Sequence, residues 1–178
     1  KKGKGVESKE MSCGISVHYL GHSCFLFTTA KAKILVDPFL TGNPQAATTA
    51  DKVSADFILV SHGHGDHYGD AVAIAKRTGA TIVAPYELAL HAGAQGAKVH
   101  PMGCGGGKNF SFGRVQLTVA HHSSSVEEGG KTVSVAAPVG FLVQADGKTI
   151  YFAGDTALTT DMELLGRRNS IDLALLPI

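Results

Sequence analysis

The stretch Ser61-His62-Gly63-His64-Gly65-Asp66-His67 gathers three imidazoles and a carboxylate directly after the run Asp56-Phe57-Ile58-Leu59-Val60. A short, apolar, β-rich run reads as a buried strand, so the histidines are delivered to a loop at its end. His62 and His64 stand two apart and point the same way on extended backbone, and Gly63 and Gly65 let the loop tighten so that Asp66 and His67 turn inward. Neutral imidazole nitrogen and carboxylate oxygen are the donors that zinc and similar divalent ions take up. The competing reading is a solvated His-rich loop, and the density and glycine spacing of the pattern argue against it. The chain is expected to be a metalloenzyme.

Four further segments accompany this H-x-H-x-D-H motif: Tyr19-Leu20-Gly21-His22-Ser23, Ile34-Leu35-Val36-Asp37-Pro38-Phe39, Ala120-His121-His122-Ser123-Ser124 and Tyr151-Phe152-Ala153-Gly154-Asp155-Thr156. In this order they span nearly the whole chain from about Met11, and on them the sequence resembles the metallo-β-lactamase superfamily. The resemblance is to its branch of small metal-dependent hydrolases, which includes ascorbate-6-phosphate lactonase-like proteins. It implies an α/β (α+β) fold, the four-layer αβ/βα sandwich with metals at one edge. It also implies a ligand set, in which one ion takes His62, His64 and a downstream histidine, and a second takes Asp66, His67 and a final histidine. The aspartate after the second-half strand bridges both, and Asp155 is the candidate for it, with an Asx turn or strand-end cap as the structural alternative. Strand alternation separates His121 from His122 only weakly. The family's Ala-x-His-Ser-Ser form matches His122 and leaves His121 to line the pocket. Two divalent ions are thus implied, zinc foremost, with manganese, iron and nickel tolerated by the same donors.

Composition bounds the rest. At 178 residues, 44% hydrophobic and 17% charged, the chain can bury a sizeable core as a single domain over 11–178. A net charge of +1 and the lack of a basic stripe give no reason to expect nucleic acid, and a small-molecule substrate is the expected partner. Cys13, Cys24 and Cys104 are odd in number and lack C-x-x-C spacing, which points to a reducing, cytoplasmic setting rather than a disulfide framework. Cys104 lies in a glycine-rich stretch, read as a flexible loop with an ordinary thiol. Residues 1–10 are polar and lysine-rich, a disordered lead-in or expression remnant ahead of a plausible start at Met11, and nothing in them resembles a signal peptide or a membrane span. Homo-oligomerisation stays open.

Along the chain, strands are expected at 15–19, 24–28, 33–36, 56–61, 81–84 and 98–102, and helices over 71–78, stopped by Gly79, and over 87–92. Hairpins are expected over 110–120, turned at Gly113-Arg114, and over 141–152, turned at Asp146-Gly147. An internal echo runs through this order. The strand ending in Asp37 is followed by the strand ending in His62, and the strand ending in Asp155 is followed by a buried strand over 171–176. The halves read as two copies of one unit, and the corresponding spacing from Asp155 falls just past Ile178, so the last ligand and last helices are expected beyond this chain.

Divalent ions bridged by a carboxylate lower the pKa of bound water, so hydroxide becomes available near neutral pH. Asp66 is expected to orient that water as well as ligate. Asp37 either accepts from a ligating imidazole and fixes its tautomer or starts the turn before Pro38. His22 either reaches the substrate or is a structural turn residue. His18, His91 and His100 read as ordinary. No Gly-x-Ser-x-Gly elbow or phosphate-binding loop ending in Lys-Ser/Thr is present, which disfavours serine hydrolases and P-loop NTPases. The leading expectation is a hydrolase acting on a small ester, lactone or phosphorylated metabolite. An iron-dependent redox enzyme on the same fold and a non-catalytic metal-binding module are the alternatives, and the stretch 123–132 is expected to form pocket rim.

Overall fold

A computed structural model describes residues 14–177; the lead-in, Met11 and Cys13 lie outside the described residues. Strand β1 (Ser16–Gly21) turns through His22-Ser23 into β2 (Cys24–Thr28), which pairs antiparallel with β3 (Lys33–Val36). Parallel strands β4 (Phe57–Leu59), β5 (Thr81–Pro85) and β6 (Lys98–Met102) extend the same sheet in chain order. Its crossovers carry helices α1 (Gly65–Tyr68), α2 (Ala71–Thr78) and α3 (Tyr86–Ala94). Gly79 ends α2 in the left-handed conformation, donating to Ala75 O, which is why a glycine stands there.

The second sheet contains β7 (Gly107–Phe110), β8 (Gly113–Val119), β11 (Val139–Ala145), β12 (Lys148–Phe152) and β13 (Leu173–Leu175), in the order β13-β12-β11-β8-β7. Between β8 and β11 a separate hairpin forms from β9 (Ser125–Glu128) and β10 (Lys131–Ser134). Its turn, Gly129-Gly130, has both φ values positive, the geometry that two-residue hairpin loops require. Helix α4 (Thr160–Arg168) follows β12, with acids in its first turn and arginines in its last, as the helix dipole favours.

Apolar strands with both faces covered explain the layering. Ile34, Val36, Leu59 and Val83 point into a core shared with Val115, Leu117, Phe141, Val143, Ile150 and Phe152 of the facing sheet. The alternate residues Leu35, Ile58 and Ile82 pack instead on Ile74 and Leu88 of α2 and α3. On the far side Leu142, Tyr151 and Ala153 meet Met162 and Leu165 of α4. The order is helix, sheet, sheet, helix, the expected four-layer sandwich. The internal echo is visible in the pairing, since β3 and β12 each have one antiparallel neighbour and one parallel one, β4 and β13 respectively.

Three local expectations are corrected. The first hairpin of the second sheet turns at Ser111-Phe112, because Gly113 is already paired and a Cβ there would lie 2.0 Å from Gln144 O. The stretch over 103–107 is held rather than loose, since Gly105 N donates to Leu117 O and Leu117 N to Gly106 O. The last strand, expected to be buried, has Leu173 and the following Leu176 exposed among the described residues, where β13 pairs with β12 alone. Among the described residues no helix is long and apolar enough to cross a membrane. Burial pushes the Cys24 thiol up to about 12, with the charge of Asp37 adding to the shift, and burial also raises the Cys104 thiol. Thiolate is the reactive species, so alkylation near pH 8 is expected to be slow at Cys104 and absent at Cys24 until the fold is opened. Peptide mapping checks this, and a labelled Cys24 in folded protein would contradict the packing.

Candidate metal centre

The parallel pairing of β3 with β4 sets the centre, because it brings Asp37, just past the end of β3, beside the residues that follow β4. Asp37 is completely buried and holds φ at +41°, a left-handed conformation that aspartate tolerates better than most residues. Its Oδ1 accepts the Ser61 N–H at 2.7 Å, and its Oδ2 lies 2.5 Å from Ser61 Oγ and 2.8 Å from His67 Nδ1. Asp37 thus takes a hydrogen bond from an imidazole as well as standing at the turn before Pro38. With Nδ1–H committed to Asp37, the free lone pair of His67 is on Nε2, which is buried, has no hydrogen-bond partner, and faces Asp155 Oδ2 at 3.3 Å. An orphaned buried nitrogen costs roughly 1–3 kcal/mol unless something fills its lone pair.

The motif itself is part loop and part helix. Gly65–Tyr68 forms a single helical turn, and this turn, rather than a tightened loop, carries His67 into the interior and leaves Asp66 half-exposed beside His22. Gly63 is pinned under the β9–β10 hairpin: its N–H donates to Ser124 Oγ at 3.1 Å, and a Cβ would come 2.8 Å from Ser125 O and Val135 Cγ2. Upstream of the turn, His62 Nε2 and His64 Nδ1 approach to 3.0 Å. The His122 ring lies 5.2 Å from that of His62 and 5.1 Å from that of His64.

Besides the wholly buried group Asp37, His62 and His67, two trios keep their donor atoms within 4.8 Å of one another: His62, His64 and His122, and His22, Asp66 and His67. Asp155 stands between them, 3.3 Å from His67 Nε2 and 3.8 Å from His122 Nε2. It is delivered by Gly154, where φ is +65° and a Cβ would lie 2.7 Å from Val139 O. The backbone N–H of His121 donates to Thr156 Oγ1, and the residue lines the same cleft as His22, His122 and Asp155. His22 sits in the β1–β2 turn at φ +53° with Nε2 3.1 Å from Asp66 Oδ2.

Electrostatics mark the same place. Burial opposes a charge on His67, but the hydrogen bond and charge of Asp37, joined by Asp155 and Asp66, outweigh it and raise its pKa. Burial, followed by the charge of His67, pushes His62 down to about 4. For Asp66 the burial effect is overcome by His67, its own backbone and His22, so its carboxyl is held low. A cluster that draws a proton onto one imidazole and keeps its neighbour neutral suits a cation.

Ser61, Ser124 and the contacts of His91 have no local signal in the sequence, because their partners lie far away along the chain. His91 Nδ1 lies 3.0 Å from Tyr68 Oη and Nε2 2.8 Å from Glu128, so it joins the end of the motif to the β9–β10 hairpin. That hairpin borders a cavity of about 390 Å³ beside His64, while a larger one of about 870 Å³ opens over His22, His122 and Asp155.

Comparison with known proteins gives the family to which the chain belongs. The family model described as Beta-lactamase superfamily domain matches residues 16–178. A UPF0173 metal-dependent hydrolase of Heliobacterium modesticaldum is 52% identical over 168 residues, 92% of this chain and 71% of the relative. Igni18, a metallo hydrolase from Ignicoccus hospitalis, superposes with a TM-score of 0.78 at 32% identity, over 92% of this chain and 70% of its own. CmlA, a diiron β-hydroxylase from Streptomyces venezuelae, has a TM-score of 0.67 at 18% identity over 90% of this chain and 34% of its own, a likeness of fold alone. The chain belongs to the metallo-β-lactamase superfamily, within its metal-dependent hydrolases.

Proposed function

We propose that the two trios, with Asp155 between them, hold two divalent ions, zinc foremost, and that the protein hydrolyses a small ester, lactone or phosphorylated metabolite. The observation that carries this reading is His67 Nε2, a buried lone pair oriented by Asp37 and left without a partner beside Asp66 and Asp155. His62, His64 and His122 would take one ion; Asp66, His67 and Asp155 would take the other, with His22 close by. When bound, such ions polarise a carbonyl or phosphoryl oxygen and supply hydroxide near neutral pH. The protein's own part is orientation. Asp37 holds the His67 ring, and Asp66, kept ionised and approached by His22, is placed to orient a water and accept its proton. Tyr19, Phe25, Phe152 and Leu175 contribute apolar lining to the larger cavity that His122 and Asp155 also line, which suits a small substrate with an apolar part.

The test is hydrolysis of a panel of aryl esters, lactones and phosphate esters before and after chelation. Loss on chelation and return with zinc or manganese supports the proposal, whereas turnover that survives complete metal removal contradicts it. Bound iron with oxygen consumption and no hydrolysis would transfer the site to redox chemistry.

Proton competition gives a second expectation. The His67 pKa is raised above the ordinary 6.5, so a proton occupies its lone pair below that raised value and must leave when an ion binds. Affinity should therefore fall as pH falls, and binding near pH 6 should release more protons than binding near pH 8. Calorimetric titration in two buffers of different ionisation enthalpy measures the release. A pH-independent affinity across that interval would contradict the assignment of His67.

A further inference from the structure

Beside both trios lies a side chain that faces neither cavity. Ser61 is completely buried, and its hydroxyl oxygen stands 2.5 Å from Asp37 Oδ2 and 2.9 Å from His62 Nδ1. A hydroxyl has one proton to give, and a carboxylate can only accept, so that proton belongs to Asp37. Ser61 Oγ must then accept from His62, which carries its proton on Nδ1 and presents a lone pair on Nε2 toward His64. The carboxylate oxygen that receives the hydroxyl is also the one that receives His67 Nδ1–H at 2.8 Å.

We infer that Ser61 is a positioning residue that extends the control of one buried carboxylate to an imidazole in each trio. Asp37 sets the tautomer of His67 directly and that of His62 through the Ser61 hydroxyl. The backbone N–H of Ser61 already bonds to Asp37 Oδ1 at 2.7 Å, so the hydroxyl is not needed to satisfy the strand end. Gly154 leaves the room that the side chain occupies, since a Cβ there would come 3.2 Å from Ser61 Cβ and 3.5 Å from its Oγ. This inference rests on reading the trios as ion sites, and it makes the two sites separable by mutation.

Ser61→Ala keeps the backbone bond and removes only the hydroxyl. The ion held by His62, His64 and His122 should bind about 10–100-fold more weakly, as is usual when the partner of a ligating imidazole is lost, while the ion at His67 is little changed. Equal weakening of both ions, or of neither, overturns the inference. A measurement on the unsubstituted, metal-free protein needs no variant to fold. Nitrogen-15 spectra near pH 8 should show His62 as the Nδ1–H tautomer, and an Nε2–H tautomer there overturns the role of Ser61. Failure of the ion-site reading would look different: no ion taken up, with the His62 tautomer as stated here.

Discussion

Asp155→Ala is expected to lower kcat/KM by about a thousandfold or more while leaving the melting temperature of the metal-free protein nearly unchanged. The two halves of that expectation have separate causes. Asp155 Oδ2 is the carboxylate oxygen that faces both trios, at 3.3 Å from His67 Nε2 and 3.8 Å from His122 Nε2. Its loss removes the shared donor, and the several kcal/mol that metal ions contribute to charge stabilisation correspond to about a thousandfold in rate at 4 kcal/mol. The side chain is partly exposed, and above the raised pKa of His67 its buried neighbour is a neutral imidazole with a lone pair on Nε2, so truncation under those conditions leaves no buried donor unpaired in the metal-free fold. Steady-state kinetics on any ester or lactone that turns over, with differential scanning fluorimetry on chelated protein, checks both. Full activity in the variant would remove Asp155 from the centre.

Asp37→Asn should act on fold and metal together. Asparagine tolerates the positive φ, so the backbone is not the cause. The amide has one acceptor oxygen where the carboxylate has two, and three donors converge there: Ser61 N–H, Ser61 O–H and His67 Nδ1–H. At least one is left buried without an acceptor. One or two such losses cost about 3 kcal/mol in total, which for a chain of this size lowers the melting temperature by roughly 6–12 °C. Both ions should bind about 10–100-fold more weakly, because both His67 and, through Ser61, His62 lose their orienting partner. Thermal denaturation of the metal-free variant and competition with a chromogenic chelator measure the two effects. A variant as stable as the parent that binds both ions equally well would show that Asp37 only shapes the turn.

Much of this arrangement is legible in the sequence, for local reasons. Strands Cys24–Thr28 and Lys33–Val36 appear where their apolar runs lie, and α2 stops at Gly79 because a left-handed residue is needed there. The H-x-H-x-D-H spacing brings its own donors together because they share one turn of chain. Roles that depend on distant pairing are harder to see. Ser61 matters only because β3 and β4 align in parallel and bring Asp37 alongside, 24 residues back in the chain. Gly113 looked like a turn residue, but it is glycine because the chain passes close to Gln144 O. The β9–β10 hairpin has little apolar patterning to reveal it, and is fastened by Ser124 Oγ to Val135 O and by Glu128 to His91. The acidic start and basic end of α4 were a readable signal that apolar periodicity alone does not catch.

The most direct test of the centre is the number of ions retained per chain after loosely bound metal is removed, measured by plasma mass spectrometry on the parent, His62→Ala and His67→Ala. The account predicts two divalent ions in the parent and one in each variant, from different trios. Metal-free parent protein, or variants that retain the full complement, would contradict it.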